Sequence, residues 1–161
     1  MSVLIALSIS IGLLAVAATW LFLGPLAAFN MQIWQAFIAW ASHFHNGGKS
    51  DGILKTVVCM SFGALVGMAS VMLVGALGAL GAMAVPVAVG IGAAVIVLAA
   101  HLPMLSTIPS SVYGFASVAG LILLGKDMSP EKAILPTLLS IVVGAGFGWL
   151  SERVAGKLTK K

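Results

Sequence analysis

The sequence predicts an all-α integral membrane protein of six transmembrane helices arranged as a 3+3 inverted repeat. Three observations predict it. First, 61% of the 161 residues are hydrophobic and only 7% are charged, whereas a soluble domain carries roughly 25% charged residues to face water. Second, residues 1–48 and 56–125 contain no Lys, Arg, Asp or Glu. The second stretch alone, 70 residues long, can supply three passes at about 20 apolar residues per crossing of the hydrocarbon core. Third, short motifs of the first half recur in the same order in the second.

Backbone groups in lipid must bond to one another, so spans are helices or closed barrels. A barrel strand alternates apolar and polar residues. Here the apolar runs are continuous and rich in Ala, Leu, Gly and Met, which selects helices. The first span is expected over residues 3–23. It reads as a retained span, because Met1-Ser2-Val3 carries no positive charge and the apolar run continues to Leu23. Gly24-Pro25 breaks it. The second span, 26–45, is less apolar, with Asn30, Gln32, Gln35, Ser42, His43 and His45. The loop Asn46–Gly52 leads into the third span at 53–76. Gly75, Gly78 and Gly81 mark the next turn. The fourth span covers 82–101 and the fifth 105–124. A charged loop over 125–132 precedes the sixth at 133–151, and a basic tail occupies 153–161.

Six spans place both termini on one side of the membrane. That side collects Lys49, Lys55, Arg153, Lys157, Lys160 and Lys161, against Lys126 and Lys132 opposite, which Asp127 and Glu131 partly offset. The positive-inside rule then puts both termini in the cytoplasm. The net charge of +4 sits mostly in the tail. It reads as a topology signal, not as a nucleic-acid surface, since no basic patch is interleaved with aromatics.

The repeat joins residues 3–77 to 82–152. Ile53-Leu54-Lys55-Thr56 matches Ile134-Leu135-Pro136-Thr137, and at the same offset Gly63 and Gly67 match Gly144 and Gly148. Trp40-Ala41-Ser42 resembles Phe115-Ala116-Ser117, and Ile11-Gly12 resembles Ile91-Gly92. A unit of three spans repeated once forces the copies into opposite orientations, the plan of many transporters.

Gly47-Gly48 ahead of the third helix and the run Ile108-Pro109-Ser110-Ser111-Val112-Tyr113-Gly114-Phe115-Ala116-Ser117-Val118-Ala119-Gly120 carry a family resemblance. With these features the chain resembles the YcdZ-like family of small bacterial inner-membrane proteins, a family of unknown function. The resemblance implies a six-helix inner-membrane protein. It brings no substrate and no catalytic residue.

Several chemistries are absent from the sequence. It holds no carboxylate pair, His-Glu-x-x-His, Gly-x-Ser-x-Gly or phosphate loop, so an enzyme is not expected. Cys59 is the only cysteine, which rules out an intrachain disulfide and a site of several thiolates. No cofactor and no metal are expected. Apart from Lys55 and Glu152 near span ends, no Lys, Arg, Asp or Glu falls within a span. Coupled transporters usually keep such groups at membrane depth.

The remaining polar groups gather on the second and fifth spans. Gln35, Ser42, Thr107, Ser110, Ser111 and Ser117, with Ser106, are candidates to line a polar path. Pro109 either frees a carbonyl beside the hydroxyls or simply occupies the first turn of an ordinary helix. Gln32 and Gln35 either line the path or bond a neighbouring helix. Trp40 and Phe115, matched by the repeat, are expected to form a constriction, with Tyr113 nearby. His43, His45 and His101 fall near one set of span ends. They make either a pH-sensitive gate or solvated interfacial side chains; no carboxylate or cysteine joins them in the sequence. Gly63, Gly67, Gly144 and Gly148 let backbones approach closely and are expected to meet one another across the axis between the repeats. The resulting expectation is a channel or facilitator for a small neutral or weakly polar solute, working as a homo-oligomer in the bacterial inner membrane. A secondary transporter coupled through histidine or backbone groups, and a non-transporting assembly or regulatory protein, are the alternatives.

Overall fold

The computed structural model describes residues 1–159, and over them the regular structure is helical: α1 Val3–Leu23, α2 Ile33–His45, α3 Lys49–Ala76, α4 Ala84–Ala99, α5 Ile108–Leu124 and α6 Pro130–Thr159. Single 3-10 turns at Ala27–Phe29 and Pro103–Leu105, and a longer one at Gly78–Met83, join them. Lys160 and Lys161, the end of the basic tail, lie outside the described residues.

The side chains are distributed as lipid requires. Leu4, Leu13, Val16, Trp20, Val97, Leu98, Leu123 and Leu124 are exposed, while Ser10, Gln35, Ser42, Thr56, Ser110, Ser117, Thr137 and Ser140 are buried. Water as solvent would reverse that arrangement. Val3–Leu23, Lys49–Ala76, Gly78–Ala99 and Pro130–Thr159 are each long and apolar enough to cross a membrane.

The expectation of six full-length spans needs correction at α2 and α5. They have 13 and 17 residues, which at about 1.5 Å per residue reach about 20 Å and 26 Å, short of the roughly 30 Å hydrocarbon core. The second helix starts at Ile33, seven residues after the expected Leu26, because Gly24–Asn30 is taken up by turns and Asn30 adopts a φ of 56°. Each short helix packs along a long one. α3 packs most extensively on α5, and α2 on α6, while α3 and α6 cross at the centre. α1 lies against α6 and α4 against α3 at the periphery. The main core draws Ala39 from α2, Met60 and Ala64 from α3, Val118 and Leu121 from α5, and Ala133 and Ile141 from α6.

Four glycines set how closely these helices approach, with partners other than those expected. A Cβ at Gly63 would collide with the Ser111 backbone, and one at Gly67 with Phe115 and Val118 of α5. A Cβ at Gly144 would collide with the Ala36 backbone, and one at Gly148 with the His43 ring of α2. The glycines therefore seat α5 on α3 and α2 on α6; they do not meet one another across α3 and α6. The physical reason is that a short helix tucked inside the bundle must lie backbone to backbone with its neighbour.

Candidate functional site

Two buried hydroxyl–amide clusters flank the line where α2 and α5 run antiparallel. In the first, the fully buried Gln35 donates from Nε2 to the Ser117 carbonyl and to the Thr137 hydroxyl, both at 2.9 Å. It thereby ties α2 to α5 and α6. In the second, Ser42 Oγ lies 2.9 Å from Ser110 Oγ and 3.3 Å from Thr56 Oγ1. Asn46, from the loop after α2, closes this group. Its Nδ2 donates to Thr56 at 2.9 Å, Ser110 at 3.0 Å and Ser42 at 3.3 Å. Gln35 and Ser42 are two turns apart, so the clusters lie about 10 Å apart along α2.

Satisfaction is incomplete. Gln35 Oε1, Asn46 Oδ1 and Ser117 Oγ are buried and have no hydrogen-bond partner; Ser111 Oγ is also buried and unpaired, on the residue whose backbone packs on Gly63 of α3. Leaving such a group unpaired costs about 1–3 kcal/mol, and natural proteins retain few of them. The seam therefore holds acceptors and hydroxyls able to bond a small polar molecule, enclosed between helices.

Other predicted site residues lie elsewhere. Ser106 and Pro109 are exposed and Thr107 is half-buried. Pro109 occupies the first turn of α5, where its missing N–H costs nothing; this is the ordinary first-turn reading. Gln32 binds locally, its Nε2 donating to the Asn30 carbonyl at 2.9 Å while its backbone N–H donates to Ser140 Oγ at 3.1 Å. With Asn30, Trp34, Gly120 and Lys126 it lines a cavity of about 370 Å³ at one end of the seam.

Trp40 and Phe115 do not form a constriction. Trp40 Nε1 donates to Ser151 Oγ at 3.0 Å, and its ring stacks on Phe147 with centroids 5.6 Å apart, both on α6. Phe115 lies instead against Gly67 of α3 and Gly92 of α4. Trp40 thus turns toward α6, and Phe115 toward α3 and α4, away from the α2–α5 line. Tyr113 is half-buried and meets the His45 ring edge-on, with centroids 6.1 Å apart.

The three histidines are dispersed. His45 and His101 are exposed. His43 is fully buried, and its Nε2 lies 3.2 Å from Glu152 Oε2 on α6. The same oxygen accepts the Lys49 backbone N–H at 2.6 Å. Sequence reasoning left His43 without a carboxylate because its partner is 109 positions away. Asn46 lies in the loop after α2, and its place among three hydroxyls follows from the turn that folds it back over α2.

No curated protein and no solved structure matches the chain. A family model described as "Protein of unknown function (DUF1097)" matches residues 8–156. On that match over nearly the whole chain, and with the apolar helical build described above, the chain belongs to this family.

Proposed function

We propose that the protein is a membrane facilitator for a small neutral or weakly polar solute, and that the solute passes along the seam between α2 and α5. The observation that carries this reading is the pair of hydroxyl–amide clusters with three unpartnered polar atoms. Gln35, Ser42, Ser110 and Ser117 are each 1% exposed or less, while Asn46 at the loop end is half-buried. Passage on this reading requires movement of the short helices, as in a gated path and not an open pore.

The reading rests on two inverted triplets of helices, for which the geometry offers several supports. α1, α2 and α3 begin at residues 3, 33 and 49, and α4, α5 and α6 at 84, 108 and 130. Exchanging the triplets maps the α3–α5 packing onto α6–α2, and α1–α6 onto α4–α3. The same exchange maps Gln35, Ser117 and Thr137 onto Ser110, Ser42 and Thr56. One cluster becomes the other, with Asn46 supplying the amide that Ser110 lacks. Transporters of inverted-repeat build bind solutes at the repeat interface near the bilayer midplane. Six crossings, cytoplasmic termini, a bacterial inner-membrane location, the narrower YcdZ-like grouping and association into homo-oligomers belong to this proposal.

The test is stopped-flow light scattering of proteoliposomes with a panel of neutral solutes from urea to glycerol. The expected result is a protein-dependent flux of at least one solute that Ser117→Leu abolishes. Flux of every solute at the rate of empty liposomes would reject transport of this class. The non-transporting alternative would then be favoured.

A further inference from the structure

The polar clusters are mirrored between the two triplets, but one pair of residues is not. The register that aligns Gly67 with Gly148, and Gln35 with Ser110, sets His43 opposite Val118 and Glu152 opposite Val71. The surroundings of the two members are alike. Gly67 leaves room for the Val118 side chain, as Gly148 leaves room for the His43 ring. An apolar residue thus fills this niche in one half, while an ionisable ring fills it in the other. Burying an ion pair is weak evidence for stability, since well-packed apolar residues often serve as well or better. Packing alone does not call for His43 and Glu152.

What the pair touches is a strained junction. Gly47, Gly48 and Lys49 all take left-handed backbone, with φ of 86°, 68° and 57°. For a non-glycine residue such as Lys49 this costs of the order of 1–3 kcal/mol, a kind of strain found at switch segments. The Glu152 carboxylate holds the junction by accepting the Lys49 N–H at the start of α3. It also fills the space where a Gly48 side chain would lie. His43 closes the arrangement from α2: its own carbonyl accepts the Gly48 N–H at 3.0 Å, and its Nε2 faces Glu152. Its Nδ1 is buried and has no partner.

We propose that His43 is a proton-binding site, and that the proton it takes up latches the junction between α2, α3 and α6. With the ring neutral, Nε2 and Glu152 share one neutral-donor hydrogen bond. The acceptor is an ionised carboxylate, so that bond is already assisted by one charge; with the ring protonated, the direct attraction between imidazolium and carboxylate is added to it. The proton comes from solvent, reached through Glu152, whose side chain is 33% exposed. Of the other charged and titratable groups nearby, Lys49 and Arg153 share with Glu152 a cavity of about 220 Å³, where Arg153 lies over the Trp149 ring at 4.0 Å. His45 faces Tyr113, and the side chains of Asp51, Lys55 and Lys157 are exposed. α1 and α5 carry no charged residue. The latch adjoins the Asn46 end of the α2–α5 seam, so a role as a gate rests on the transport reading; the proton site itself does not.

The test is hydrogen–deuterium exchange of the full chain in liposomes, with no solute added, at pH steps from 5.5 to 8 and corrected for intrinsic exchange. In the wild type, protection of the amides of residues 47–52 is expected to fall at least about fivefold as pH rises and the imidazolium–carboxylate attraction is lost. His43→Val and Glu152→Val, which install the residues of the other half, are expected to give flat profiles, and His45→Gln to keep the wild-type profile. Glu152→Gln, which keeps the shape of the carboxylate, is expected to reduce the amplitude. A flat wild-type profile, a profile of opposite sign, or an unchanged profile in His43→Val would each overturn the latch. Because no solute enters the measurement, its failure is distinct from a failure of the transport reading.

Discussion

Gln35 of α2 and Thr137 of α6 are joined by a 2.9 Å hydrogen bond deep inside the bundle, and both are fully buried. The bond secures one end of the α2–α5 seam, as the Asn46–Thr56 bond of the same length secures the other. Removing Gln35 as Gln35→Leu strands the Thr137 hydroxyl. The expected cost is about 1–3 kcal/mol, read as a lower Tm in detergent. Ser117→Ala, by contrast, removes a buried hydroxyl without a partner and should leave stability unchanged or raise it, by up to about 1–3 kcal/mol, the penalty of the unpaired group. A Tm drop in Ser117→Ala as large as that in Gln35→Leu would mean the cluster is held together differently.

The glycines give a second, independent prediction. Gly144→Ala places a methyl group into the Ala36 backbone, whereas a Cβ at Gly146 meets nothing within 4 Å. Overpacking typically costs 1–3 kcal/mol, about the upper figure being expected where the obstacle is backbone. Gly146→Ala should be neutral or slightly stabilising, by up to about 1 kcal/mol through helix propensity. Thermal unfolding of the two variants side by side decides this, and equal stabilities would contradict the packing described for α2 on α6.

Trp40 supplies a third. Its indole N–H donates to Ser151 on α6, outside the seam. Trp40→Phe should therefore lower stability by about 1 kcal/mol, the worth of one hydrogen bond, while leaving the solute preference of reconstituted protein unchanged. A changed preference would return Trp40 to the path.

These contrasts show how far the sequence could be read. The membrane environment and the helical class followed from the two charge-free stretches, because lipid tolerates few alternatives. Ser42, Ser110, Ser111, Ser117 and Gln35 were identifiable as a group from their place on two helices; all are buried, and all but Ser111 meet along one seam. Side-chain direction was not legible. Trp40 and Phe115 share the register of Ser42 and Ser117 but lie two residues away from them, which on a helix rotates them about 200° to another face. The shortness of α2 was also hidden, since Leu26–Gln32 is apolar enough to pass for helix and only the turn at Asn30 ends it. The His43–Glu152 pair joins residues 109 apart in the chain. No periodicity connects such positions.

The central claim is that the helices form two upside-down triplets that each cross the bilayer three times, α2 and α5 included. It is tested most directly by thiol labelling in sealed, uniformly oriented vesicles. Single cysteines are placed at Ser2, Ala28, Gly47, Ala79, His101 and Asp127 in a Cys59→Ser background. A membrane-impermeant reagent should modify positions 2, 47 and 101 from one face and positions 28, 79 and 127 from the other. Labelling of 28 and 47 from the same face would show that α2 does not cross, and would contradict the inverted arrangement and the path built upon it.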